Sequence, residues 1–288
     1  MSFYSLETIN KIKNLEEPPK IYKNVFSNDE IKSLIRLEKE SHSLRMVDRD
    51  DSRKTKIEWQ TKVEKIVRDK LENVIGHKIW MGDFPAHFIL NKYPLRIHAD
   101  MGKDASVIPH KNILIPLFVN GASTTHTILF KNRWYGQSSL FSKNFDSKDH
   151  YFKDRSGKFV HITNSDEFLN TLKNSNQKIV EYADGMFKAD TDTIGQVEAL
   201  LKQSRYSQRT NKHITSNKPF NRHDYQKYLT HQPYEDLNGL EIDTVVAWKP
   251  GDVVTFDRST IHCASNFLKE GVTSKMAMVM FTVWREDV

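Results

Sequence analysis

Apolar positions along this chain keep helical spacing up to about residue 76 and alternate, strand-like, after it. Over 25–40, Ser27 and Glu30 stand at capping-box spacing, and Phe26 and Ile31 can close a hydrophobic staple across them. Ile31, Leu34 and Ile35 then continue one helical face. A second helix is predicted over about 55–74, where Trp59, Val63, Ile66, Val67, Leu71 and Val74 share a face. Beyond Gly76 the segments 77–83, 86–93, 112–119, 125–131, 242–248, 252–257 and 275–284 are short and rich in aromatic and β-branched residues, which predicts strands. Asn120-Gly121 signals a tight turn, and Pro250-Gly251 fits the centre of a type II turn.

Between 142 and 238 the pattern changes again. Polar and turn-forming residues dominate, with two short helical patterns, one through Phe168, Leu169 and Leu172, the other through Ile194, Val197, Leu200 and Leu201. So long a stretch exceeds any ordinary loop and reads as an inserted lid or subdomain. The expected architecture is mainly β with flanking helices (α+β). A helical flank covers 1–76, a sandwich or barrel is built from 77–141 and 239–288, and 142–238 is inserted in it.

Composition narrows this little. The chain of 288 residues carries a net charge of +6, a mild lean toward anionic partners. No window approaches the apolar length that spans a bilayer, and the N-terminus lacks the apolar core of a signal peptide. Cys263 is the one cysteine, which excludes an internal disulfide and a cysteine-rich zinc module; a cytoplasmic setting is expected.

The chemistry sits in two distant stretches. His98-Ala99-Asp100 ends an apolar-rich segment, and residues two apart on a strand face one side. His262 closes a second unit, in which the turn Lys249-Pro250-Gly251-Asp252 leads into Val253–Phe256. Together they supply two imidazoles and one carboxylate, the ligand set of a non-haem Fe(II) site with open positions. Four protein ligands would close it, as in structural zinc.

These residues resemble the Fe(II)/2-oxoglutarate-dependent oxygenases, in their prolyl-hydroxylase-like and phytanoyl-hydroxylase-like branches. The resemblance covers most of the chain outside the insertion and includes Lys20–Ile35 (KIYKNVFSNDEIKSLI). It implies a double-stranded β-helix (jelly-roll) core, Fe(II) on His98, Asp100 and His262, and 2-oxoglutarate and O2 as co-substrates. The implied reaction is hydroxylation of a C–H bond with release of succinate and CO2. The basic residue that follows the distal histidine in this family falls here on Lys275, with Arg258 and Arg285 as fallbacks. Lys275 shares a strand face with Ala277, Val279 and Phe281, where a lysine needs an anionic partner. Tyr93 matches a tyrosine that in related enzymes hydrogen-bonds the co-substrate. Two departures stand out: Leu95 follows Tyr93-Pro94 where glycine is usual, and Lys275-Met276-Ala277 replaces an Arg-x-Ser/Thr clamp.

Arg133, Trp134 and His110 are candidates for contact with substrate, although a tryptophan there is also normal packing. His110 and His126 could line the site or serve as alternative ligands, although solvent-exposed or satisfied core histidines are more common. Cys263 reads as a small buried hydrophobe. Residues 205–228 interleave Lys and Arg with Tyr206, Phe220, Tyr225 and Tyr228, a pattern that can hold nucleic acid but more often is a solvated face. The substrate could therefore be a small molecule, a protein side chain or a nucleic acid. Two other functions compete: a non-catalytic β-helix binding module, and a cupin-like metalloenzyme without 2-oxoglutarate.

Overall fold

The computed structural model describes residues 3–40, 45–47, 53–56, 62–102, 104–121, 124–143, 150–162, 164–203 and 208–285. Helix α1 (Leu6–Asn14) and strand β1 (Lys20–Tyr22) precede α2 (Asn28–Glu40), β2 (Arg45–Val47), β3 (Arg53–Lys56) and α3 (Lys62–Ile75). The capping box forms as expected: Ser27 N–H donates to Glu30 Oε2 at 2.7 Å and Glu30 N–H to Ser27 Oγ at 3.3 Å. Phe26 and Ile31 enter one core cluster with Leu34, Val67 and Leu71.

The helix expected from about 55 starts at Lys62 instead, because 53–56 is spent on a strand that pairs antiparallel with 87–90. Residues 57–61, Trp59 among them, lie outside the described residues. The strands expected at 77–83 and 86–93 are one strand, β4 (Trp80–Asn91). Pro85, which has no N–H to give, is absorbed where the pairing with the last strand shifts register between Met280 and Thr282. Helix α1 was not foreseen; Ser5 caps it by accepting from Thr8 N–H, and it buries only Ile12.

The remaining strands are β5 (His98–Ala99), β6 (Ile108–Asn120), β7 (His126–Arg133), β8 (Ser139–Phe141), β9 (His150–Lys153), β10 (Phe159–Ile162), β11 (Ile179–Tyr182), β12 (Gly185–Lys188), β13 (Gln208–Thr210), β14 (Ile242–Ala247), β15 (Val253–Asp257), β16 (Thr260–Ala264) and β17 (Ser274–Trp284). Two large sheets form, ordered β1-β15-β6-β17-β4-β3-β2 and β13-β8-β5-β16-β7-β14; β13 and β8 run parallel, the other pairs antiparallel. From β14 onward successive strands alternate between the two sheets, as β4, β5, β6 and β7 do before the long interruption. Leu114, Leu129, Val246, Val254 and Ala277, drawn from both sheets, share one core. Met276, Met278 and Met280, on the other face of β17, pack toward α2 and α3.

Between 142 and 238 the chain falls into two parts. Residues 150–203 fold two hairpins, α4 (Ser165–Asn174) and α5 (Thr191–Gln203), around their own core of Phe152, Val160, Ile162, Phe168, Leu172, Val180, Phe187 and Val197. Farther on, Phe220, Leu229 and Leu237 pack with Ile128, Phe130 and Ile261 of the second sheet and with Ile97 just before β5. The turn at Pro250-Gly251 closes as a type II turn would: Asp252 N–H donates to Lys249 O, and Gly251 has φ +90°. A Cβ on Gly251 would also stand 2.5 Å from Phe26 O, so the turn that seats α2's entry admits only glycine. Among the described residues no helix is long and apolar enough to cross a membrane.

Candidate metal centre

Antiparallel pairing of β5 with β16 sets His98 directly opposite His262, their ring centroids 4.1 Å apart. Asp100 follows two residues after His98, and strand geometry returns it to the same face. Its Oδ2 stands 3.3 Å from His262 Nε2 and 3.8 Å from His98 Nε2. One ligand atom from each of the three lies within 4.8 Å of the other two, a set that could hold a metal ion. All three are buried, at 3%, 5% and 6% exposure for His98, Asp100 and His262.

Hydrogen bonds assign the tautomers. His98 Nδ1 lies 2.7 Å from Arg96 O and His262 Nδ1 lies 2.9 Å from Thr260 O, and a carbonyl can only accept. Both Nδ1 atoms therefore carry a proton, and both Nε2 atoms, the remaining ligand positions, face the Asp100 carboxylate. Two imidazole nitrogens and a carboxylate converging in a buried space need a positive charge among them, which a proton or a bound metal cation can supply. The donor chemistry fits a divalent metal such as iron. Asn112 Nδ2 donates to the same Asp100 oxygen at 3.5 Å, and Arg258 Nε donates to Asp100 O at 2.7 Å.

Lys275 lies at the start of β17 on the inward face, 1% exposed. Its ammonium sits 3.8 Å from the centroid of the Trp248 ring and 5.2 Å from that of Phe267, and it donates to Thr125 Oγ1 at 3.5 Å. No carboxylate among the described residues forms an ion pair with it. Burial pulls its pKa down from 10.5 to about 7.

The other candidates scatter. Tyr93 is 52% exposed in the bend after β4. Arg258 is engaged with the backbone of Asp100 and Thr282, and Arg285 is exposed and stacks on Trp80. His110 packs against Trp284 and His77, with burial holding its pKa near 3. Arg133 donates to Phe130 O and lies 3.9 Å from carboxylate oxygens of Glu16 and Asp257, and Trp134 Nε1 donates to Gln137 O. His126 meets Tyr228 edge to face, and burial of Cys263 pushes its thiol up to about 12. In the basic stretch Phe220 is buried, Tyr225 donates to Gln232 O, and residues 204–207 lie outside the described residues.

Sequence reading missed the aromatic floor under Lys275, since Trp248 and Thr125 become its neighbours only through sheet packing. It also missed the buried pair of Lys111 and Asp257, 2.5 Å apart. The one signal for that pair was a charged residue beside each of two apolar runs, Lys111 before 112–119 and Asp257 after 253–256.

No protein-family model and no curated protein sequence matches the chain. Among solved structures, a Pseudomonas putida prolyl-4-hydroxylase is similar over 97% of this chain and 100% of its own, at 9% identity and TM-score 0.39. The epimerase SnoN, in complex with Fe3+, alpha ketoglutarate and nogalamycin RO, is similar over 96% of this chain and 84% of its own, at 8% identity and TM-score 0.43. HygX from Streptomyces hygroscopicus, with nickel and 2-oxoglutarate bound, is similar over 98% of this chain and 91% of its own, at 12% identity and TM-score 0.37.

Proposed function

We propose that the chain is an Fe(II)- and 2-oxoglutarate-dependent dioxygenase that hydroxylates a C–H bond of its substrate, on a double-stranded β-helix made by β4–β7 and β14–β17. The observation that carries this is the convergence of His98, Asp100 and His262, with both Nε2 atoms turned on one carboxylate.

His98, Asp100 and His262 would hold the iron, which when bound supplies oxygen activation. Three protein ligands leave room for a chelating co-substrate and for oxygen. Asn112 restrains the Asp100 carboxylate, and the carbonyls of Arg96 and Thr260 keep both imidazoles in the metal-binding tautomer. Lys275 is the anchor for the remote carboxylate of 2-oxoglutarate: a buried cation without a counter-ion is relieved by an incoming anion. Trp248 and Phe267 wall that end from bulk water. The segment 142–238 leaves the core between the two metal motifs and is the candidate cover over substrate, which would be a small molecule or a protein side chain.

The test is anaerobic titration of the protein with Fe(II) and then 2-oxoglutarate. A weak visible charge-transfer band, absent in His98→Ala, is the expected result. Iron binding without the band favours a cupin-like metalloenzyme, and failure to bind iron removes the enzyme reading.

A further inference from the structure

The two halves of the centre come from distant parts of the chain, yet one side chain joins them away from the ligand atoms. Arg258 lies in the turn between β15 and β16, four residues before His262. Its guanidinium is buried, donates from Nε to Asp100 O at 2.7 Å and from Nη1 to Thr282 O at 3.1 Å, and lies 5.6 Å over the Phe281 ring. Gly102 makes room for it: a Cβ there would come within 2.9 Å of Nη2, and φ is +90°.

The turn that carries Arg258 is itself held on both flanks. Asp257 accepts from Lys111 Nζ at 2.5 Å and from Glu17 N–H at 3.1 Å. Ser259 donates from Oγ to Glu16 Oε1 at 2.6 Å, and its carbonyl accepts from Trp134 N–H at 2.8 Å. Arg258 N–H donates to His110 O at 3.0 Å. The neighbouring carbonyl of Met101 accepts from Tyr4 Oη at 2.7 Å.

We propose that Arg258 is a positioning residue of the metal centre, fixing the backbone of Asp100 to the turn that leads into His262 so that the two half-sites keep one spacing. This rests on the metal reading above. A guanidinium suits the task because its planar, preorganised donors can hold two carbonyls from different strands at once, which an ammonium on a flexible stem does less well. The N-terminal residues 15–17 then act on the centre at one remove, by holding the turn.

The experiment uses the full chain and Co(II) as a spectroscopic stand-in for iron, reading both affinity and the visible d–d bands. Arg258→Gln is expected to weaken Co(II) binding by roughly 10–100-fold and to shift the bands, as loss of an outer partner of a ligand does. Arg258→Lys should fall between the two. In Arg258→Ala, added methylguanidinium should restore the wild-type bands and methylammonium should not. Phe168→Leu, in the separate core of 150–203, serves as a control that loses stability without touching the centre, and its spectrum should stay wild-type. Wild-type affinity and bands in both Arg258→Gln and Arg258→Lys overturn the proposal, as does an equal shift in Phe168→Leu. If the wild-type chain itself fails to bind Co(II), the metal reading falls first and takes this inference with it. Should Arg258→Gln not fold, Arg258→Lys and the rescue of Arg258→Ala decide the matter.

Discussion

Among the described residues two lysines are buried in the β core, and they differ in what surrounds their charge. Lys111 is surrounded by acceptors: Asp257 Oδ1 at 2.5 Å, Leu15 O at 3.2 Å and Glu17 Oε2 at 3.5 Å. Lys275 has a ring face and one distant hydroxyl. The first ammonium is already neutralised, and its partner needs it, since burial pushes the Asp257 carboxyl up while Lys111 pulls it down. The second is kept short of a counter-ion. A folded chain can bear that arrangement by giving up the proton, as the lowered pKa of Lys275 indicates, and an anion bound beside it would favour the charged form.

The largest expected effect contrasts the two. Lys111→Met should cost about 3–5 kcal/mol of stability at pH 7, the usual penalty for stranding a buried charge, read from urea unfolding. Lys275→Met should do the opposite in the protein without co-substrate and stabilise it by up to roughly a few kcal/mol, since burial penalises the charged lysine. It should also abolish the 2-oxoglutarate-dependent band while leaving Fe(II) binding intact. If both variants were destabilised alike, the two lysines would share one structural role and the contrast would collapse.

A pH series sharpens the point. Burial lowers the Lys275 pKa to about 7, so between that value and its unfolded 10.5 the unfolded chain binds a proton that the folded chain does not. Stability without co-substrate should therefore rise with pH across this window, with the full penalty present below pH 7 and gone above 10.5. The total is of the order of a few kcal/mol. Subtracting the same series for Lys275→Met isolates the lysine; a flat difference curve would show that it stays charged throughout. The smallest expected change is in Thr125→Val, which removes the hydroxyl that accepts from Lys275. It should lower stability by about 0.5–1.5 kcal/mol, least at high pH, where the lysine is neutral.

The contrast also shows how far the sequence could be read. Lys275 was visible because it opens a strand whose same-face neighbours are all apolar, and the triad because each half carries its own local context. Lys111 was not visible. It too opens an apolar run, but its partner Asp257 is 146 residues away, and nothing local distinguishes it from an exposed strand end. The capping box at Ser27 and the turn at Gly251 were legible for the same local reason. The start of α3 and the continuity of β4 were not, since pairing with other strands decides them. Tyr93 matches the family's tyrosine in sequence, yet its side chain is half in solvent. In the basic stretch, Phe220 looked available for stacking, but the second sheet's core takes it.

The cross-strand pairing of His98 with His262 has a consequence for how the protein is made. As the chain leaves a ribosome, one half of the centre emerges early and must wait until β16 has been synthesised and inserted beside β5. No fragment that stops short of β16 can present the complete ligand set, and a partly folded chain offers a metal only scattered donors. On the proposed metal reading, loading would be a late event in biogenesis, and retention of the ion would report that the two ends of the core have found each other.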